Sequence, residues 1–509
     1  MRRLIQLVIP CVLLSGCFGP GEGVEVPQDQ IYFPVGLAVD KDAEHLFVVS
    51  SDFDLQYNGG AVQSYDLGQL QAALPQRCAT DADCADAVMG SHCQRGGLCA
   101  EAEDTTPCQQ GDRSDADRLL FPGRCKPIEP KKSQVDTVKI GAFATDAILR
   151  ARPVVNGESE GGGAPERLFV PVRGDSTLHW IDLAEGKLEC GQAGSGACDE
   201  QHRAGNDTTE NVRGLKLNAE PFAIDADADG RNIVVTNQTT GTASLFTNSW
   251  QGPQGPKLAF ALASDRIPQR PVGVAAVPQF LAEGDQPTED AFMLTFRDSA
   301  QVRLVRFAPD GGRIGNDERP YLIDGGGVGI DANSVGSDSR GIAIDGSARQ
   351  SARTRCAGDD TDCLGAANLV PLDVYVANRA PSTLLIGRTR PPQEYPYFFD
   401  SVALTAGPSR VIVGQVTTPS GADETRVFVA CFDSRRIFVY DPQRSRIETE
   451  ILTGRGPHAL VVDKDRKLLY VGHFTDSYVG VYSLDLASPA TYGTMLGTLG
   501  EPKSPRASK

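Results

Sequence analysis

The 509 residues predict an all-β protein assembled from one repeated unit, on three observations. Short apolar runs with period-2 alternation recur along the chain between turn-forming Gly, Pro, Asn and Asp. The composition holds 54 Gly and 33 Pro against an apolar fraction of 40%, which suits many short strands and argues against a helical bundle. The same cassette returns seven times, and the spacing of its anchors at Pro221, Pro271, Pro408 and Pro457 gives a bare unit of about fifty residues.

Arg2 and Arg3 precede an apolar run over residues 4–14, which is too short to cross a bilayer and reads as the h-region of a signal peptide. The run closes on Leu14-Ser15-Gly16-Cys17. That motif resembles the bacterial lipobox, in which the chain is cleaved before the cysteine and the cysteine is lipidated. The expectation is a signal peptide over 1–16, a lipidated Cys17, and a Gly/Pro-rich tether within 17–30. An ordinary signal peptide that happens to end in cysteine is the alternative. Phe18 in place of Asp after Cys17 favours, by the same resemblance, the outer membrane, at its periplasmic face or at the cell surface. Residues 501–509 read as a disordered tail. A net charge of −17 repels phosphate backbones, so nucleic-acid binding is excluded and a monomer is expected.

The cassettes begin at Pro34, Ala142, Pro221, Pro271, Ser339, Pro408 and Pro457. The last shows the pattern plainly: an apolar run after Pro457, a charged turn at Asp463-Lys464-Asp465-Arg466, a second run from Leu468 and a third from Val479. Candidate fourth strands lie at 446–452 and 138–141. Four antiparallel strands repeated seven times, over residues 31–500, is the layout of a seven-bladed β-propeller. The second position after each anchor is small, as a crowded axis requires: Gly36, Ala144, Ala223, Gly273, Gly341 and Ala459, with Arg410 as the exception. A β-sandwich would not predict one cassette seven times. The segments LFVPVRGDSTLHWIDL, IVVTNQTTGTASLFT and VFVACFDSRRIFVYD resemble the YVTN-type β-propeller repeat. The resemblance implies the fold; propellers host many unrelated activities, so it implies no single function.

Unequal spacing locates the insertions. The largest is a Cys-rich block over 70–132, between the third and fourth strands of blade one, and shorter ones fall at 157–166, 190–213, 279–290 and 347–367. Cys78, Cys84, Cys93, Cys99, Cys108 and Cys125 read as three disulfides whose pairing the sequence leaves open; zinc is the rival, without a Cys-x2-Cys pair to support it. Cys190 with Cys198 and Cys356 with Cys363 read as loop staples, and Cys431 as a buried free thiol.

Asp225, Asp227 and Asp229, followed by Gly230, match the first half of a calcium loop, but the twelfth position is Thr236 and a hairpin turn explains the run as well. Arg173-Gly174-Asp175 fills a hairpin loop, and Gly325 to Gly327 reads as a linker. No other cofactor is indicated. The remaining candidate site is the propeller mouth, where the loops after second strands meet the turns into first strands. There the sequence places Arg297, Asp298, Arg340, Asn378, Arg379, Arg410, Asp433, Arg435, His458 and His473, and several arginines on an acidic chain point to an anionic ligand or an acidic envelope protein. The function expected is that of a binding scaffold. A lactone hydrolase, with His458 as base beside Arg410 or Arg340, and a periplasmic redox subunit are the alternatives.

Overall fold

Seven antiparallel sheets follow one another along the chain, each from a contiguous stretch and each with its strands in chain order from the axis outward. Blade one is Pro34–Val39, His45–Ser50, Gly60–Asp66 and, after the insertion, Gln134–Ile140. Blade two is Ile148–Ala151, Glu166–Val172 and Thr177–Ala184, with its outer position divided between Lys187–Glu189 and Arg203–Ala204. The first strands of blades three to seven start at Pro221, Pro271, Ser339, Pro408 and Pro457. The protein is therefore a seven-bladed β-propeller. This computed structural model describes residues 23–85, 92–93, 98–100, 127–155, 158–191, 196–211, 213–251, 254–280, 290–308, 320–329, 338–357 and 360–502. The expected signal peptide and Cys17, as well as Cys108, Cys125 and most of the tail, lie outside the described residues.

Side-chain alternation turns these sheets into a ring. In blade one's second strand, Phe47 and Val49 face blade two while Leu46 and Val48 face blade seven. The same division holds elsewhere: Leu168 and Val170 pack on blade one, and Phe169 packs on blade three. Seven clusters of buried apolar side chains lie one at each junction between neighbouring blades, and a small eighth joins Val26 and Tyr32 to Ala61 of blade one. Each fully buried Leu, Val or Phe contributes about 1.5–3 kcal/mol, so the junctions carry the stability.

The ring closes by packing, not by sharing a strand: Leu46 and Val48 meet Tyr470 and Val479 across the junction of blades one and seven. Two polar links reinforce it. Arg77, at the root of the Cys-rich insertion, ion-pairs with Asp485 and donates to Ser488 Oγ at 2.8 Å. Where the insertion returns, Ile128 bridges Leu499 in parallel, its N–H donating to the Thr498 carbonyl at 2.8 Å.

All first strands start on the mouth face, so loops after second strands share that face, and loops after first and third strands lie on the opposite one. The Cys-rich insertion is thus rooted on the face opposite the mouth, between the third and fourth strands of blade one as its position predicted. Cys78–Cys93 and Cys84–Cys99 are its described disulfides, and Cys190–Cys198 and Cys356–Cys363 are bonded as expected. Cys431 is free and buried, and burial pushes its thiol up to about 11.

Two readings of the sequence are corrected. Gly325 to Gly327 is no linker; it lies in Tyr321–Gly329, the outer strand of blade four. In blade two the repeat is displaced by two residues: Ala144 bridges Val172 as Pro34 pairs with Ser50, so the axial position belongs to Asp146 and not to Ala144.

Candidate binding site at the propeller mouth

Each blade meets the mouth through one repeated corner. At each blade a residue on the way into the first strand accepts, at its carbonyl, the N–H of a residue at the end of the second strand: Ser51 to Phe33, Arg173 to Phe143, Gln238 to Glu220, Arg297 to Arg270, Arg379 to Asp338, Phe432 to Gly407 and Phe474 to Gly456. Six of the seven corner residues have positive φ, including Phe33 at 43° and Phe143 at 59°. A left-handed phenylalanine costs conformational energy that the surrounding hydrogen bonds must offset. The corner sets two side chains per blade around the rim, or one where it is Gly407 or Gly456, and their chemistry divides it.

Over blades six, seven, one and two the rim is aromatic. Phe53 lies 5.1 Å from Phe474 and 5.8 Å from Phe143, ring centre to ring centre. Phe33 is 5.1 Å from Phe474, and His458 is 6.1 Å from Phe474 and 6.5 Å from Phe432. These spacings are those of attractive aromatic pairs. Over blades two to six the rim is ionic. Arg173 pairs with Glu220 at 2.5 Å, Arg340 donates to Asp338 at 2.8 Å, and Arg379 pairs with Asp433 at 2.5 Å.

The rim opens into an axial cavity of about 910 Å³ lined by first-strand residues, among them Val35, Val274 and Ile342. Five of the seven axial positions are small, and the two large ones, Asp146 and Arg410, reach each other across the axis. Arg410 donates from both terminal nitrogens to the two Asp146 oxygens, each at 2.8 Å. Asp146 is only 2% exposed, so its carboxylate is shielded from water, whereas the Arg410 side chain keeps 30% of its surface open to the cavity. Deeper along the channel, Arg150 reaches Asp225 at 2.5 Å and the Ala226 carbonyl at 2.7 Å. His458 lines the cavity beside Arg410, and burial followed by that positive charge lowers its pKa to about 4. Its imidazole is neutral at neutral pH.

Of the expected mouth residues, Arg340, Arg379, Arg410 and His458 line the cavity. Arg297 stands on the rim, 4.0 Å from Asp338. Arg435 sits in the turn after the second strand of blade six and does not line the cavity. His473 is corrected outright. It is fully buried inside blade seven, stacked on Tyr478 at 4.1 Å with Nε2 3.2 Å from the Tyr482 hydroxyl, because strand alternation turns it inward. The arginines are held by carboxylates, so an anionic ligand would have to displace one of them.

The three carboxylates expected to hold calcium are each engaged by the protein itself. Asp225 is taken by Arg150 and by the Ala276 N–H at 2.8 Å, while Asp227 closes its own turn by accepting from the N–H groups of Arg231 and Asn232. Asp229 faces Arg231 at 3.7 Å. Among the described residues, the grouping of three possible ligand atoms within 4.8 Å is Cys78, Cys84 and Cys99, whose sulfurs belong to disulfides. Arg173-Gly174-Asp175 fills a turn, with Asp175 accepting from Thr177 at 2.6 Å.

Sequence reasoning missed the aromatic half of the rim and Asp146. Both carried a signal: Phe33 before Pro34 and Phe143 before Ala144 mark the same corner, and aligning on them puts Asp146 opposite Arg410 in the ring. A second cavity, of about 850 Å³, lies on the opposite face between the insertion root and blade seven, lined by Asp42, Gln71, Arg77, Asp465 and Lys467.

No family model matches this chain, and no curated protein matches it. Among solved structures it is similar to a putative 6-phosphogluconolactonase from Bacteroides uniformis, with 14% identity, coverage of 83% of this chain and 86% of that one, and a TM-score of 0.43. It is similar likewise to the periplasmic gluconolactonase PpgL of Pseudomonas aeruginosa, with 14% identity, coverage of 84% and 86%, and a TM-score of 0.44. Saccharomyces cerevisiae Sqt1 aligns over 96% of this chain and 93% of its own, at 7% identity and a TM-score of 0.46. Such values say nothing of substrate or reaction.

Proposed function

We propose that this chain is an exported, lipid-anchored binding protein that takes an amphiphilic ligand, its apolar part against the aromatic half of the mouth and its polar part toward the ionic half. The observation that carries the reading is the divided rim over the axial cavity: Phe53, Phe143, Phe432 and Phe474 on one side, Arg173, Arg340 and Arg379 with their carboxylates on the other. A concave, mostly apolar site with a few fixed polar groups is the usual form of a small-molecule site. The Asp146–Arg410 pair narrows the channel, so the ligand enters and leaves by the mouth. Export and the anchor rest on the segment 4–17.

Binding is preferred to hydrolysis because the base that hydrolysis would recruit is badly tuned. A general base works best with a pKa near the working pH, and His458 is held at about 4. The test is a fluorescence titration with 8-anilinonaphthalene-1-sulfonate, an amphiphile small enough for the cavity. Saturable binding at one site per chain is expected, weakened at least about tenfold (1.4 kcal/mol) by Phe474→Ala. Unsaturable binding, or equal affinity in the variant, would discard the reading.

A further inference from the structure

We propose that the aromatic half of the mouth docks on the lipid surface to which the N-terminus is tethered, so that the mouth opens toward the membrane. This rests on the anchored reading above. Val24, Phe53 and Leu55 are 67%, 48% and 59% exposed, and they are three of the eight large apolar side chains that stand out among the described residues. The other five are dispersed: Val154, in the short strand Val154–Val155, and Leu369, just after the helix Thr361–Asn368, lie on the opposite face, and Ile323, Phe399 and Leu452 lie on outer strands. The three cluster because Val24 bridges Tyr57 in parallel, with the Asn58 N–H donating to the Val24 carbonyl at 2.9 Å. That bridge brings the start of the chain onto the loop that carries Phe53 and Leu55.

Leu55 has φ 53° and still points its side chain into solvent. Exposing a strained leucine costs energy with no return inside the isolated molecule, and a clustered apolar rim of this kind marks an interaction surface. Its position selects the partner. Gly23 lies six positions after Cys17, and a fully extended chain over those six steps spans at most about 21 Å. A lipidated Cys17 would hold this rim within that distance of the bilayer, where burying the three side chains adds a second membrane contact to the lipid chains. The loop over 51–59 carries Asp52 and Asp54 and no Lys or Arg, so the surface it fits is zwitterionic rather than anionic.

The test uses the full lipidated chain on phosphatidylcholine vesicles, with an environment-sensitive fluorophore at Leu55→Cys or, on the opposite face, at Leu369→Cys; the buried Cys431 stays unlabelled. Quenching by nitroxide-labelled lipid is expected to be at least about threefold stronger at position 55 than at 369, and to weaken when phosphatidylglycerol is added. Equal quenching at both positions on protein that still floats with vesicles overturns the docking and leaves the anchor standing. Protein that does not float overturns the anchor, and the docking with it. Shielding of position 55 that depends on protein concentration in a vesicle-free Cys17→Ser chain assigns the patch to a second copy and overturns the lipid partner.

Discussion

The ion pair across the axis is where single residues matter most. Asp146 and Arg410 replace two small residues of the inner ring by a pair that satisfies both side chains, and each without the other is a charge in a confined channel. Removing Arg410 leaves the buried Asp146 carboxylate unpaired and should cost about 3 kcal/mol, while removing Asp146 leaves a guanidinium that water still reaches and should cost less. Urea unfolding of Asp146→Ala, Arg410→Ala and the double variant should show Arg410→Ala as the least stable of the three. Acid and alkali act on different groups. His458 and His473 have folded pKa values of about 4 and about 3 against 6.5 unfolded, so their contribution is complete above pH 6.5 and is lost as the pH falls toward 4. Asp227 behaves in the opposite sense. Burial, then the neighbouring Asp290 carboxylate, raise it from 3.8 to about 7, so its contribution is present at low pH and is lost as the pH rises through 7. Asp290→Asn removes that repulsion and can still accept from Asn232. Its melting temperature should exceed that of the parent at pH 8.5 and match it at pH 5.

At the scale of strands, the axial glycines show how closely blades approach. A Cβ on Gly36 would lie 2.5 Å from the Ala147 Cβ and 3.1 Å from the Ala147 nitrogen, just before the first strand of the next blade. Both atoms belong to a buried residue at the entry to that strand, so Gly36→Ala should cost about 1–3 kcal/mol by overpacking, read as a lower urea midpoint. The blade count and outer strands such as Arg446–Leu452 were legible in the sequence, because third and fourth strands alternate and turns carry Gly and Asp. Second strands were legible for another reason: buried on both faces, they read as unbroken apolar runs such as LFVV and IVVT. The register of blade two was not, because Ala142 and Ala144 satisfy the same spacing rule as a true anchor two residues further on. The mouth was read half correctly. Charge at loop positions is visible in a sequence, whereas four phenylalanines from four blades become a cluster only when the ring closes.

The whole ring depends on the junction of blades one and seven, from opposite ends of the array, and the chain secures it three ways: the shared apolar cluster, Arg77 with Asp485, and the strand-like contact of Ile128 with Leu499. The Cys-rich insertion takes part in the last two, which gives a structural use to its root and its return limb, whatever its tip meets. That root lies on the face opposite the mouth. Function then reduces to which face takes the ligand: the divided aromatic and ionic mouth, or the polar cavity beside the insertion. A crystal structure of the chain soaked with 8-anilinonaphthalene-1-sulfonate decides between them. The account predicts one dye molecule against Phe53, Phe143 and Phe474; dye seated instead beside Gln71 and Lys467, with the mouth empty, would contradict it.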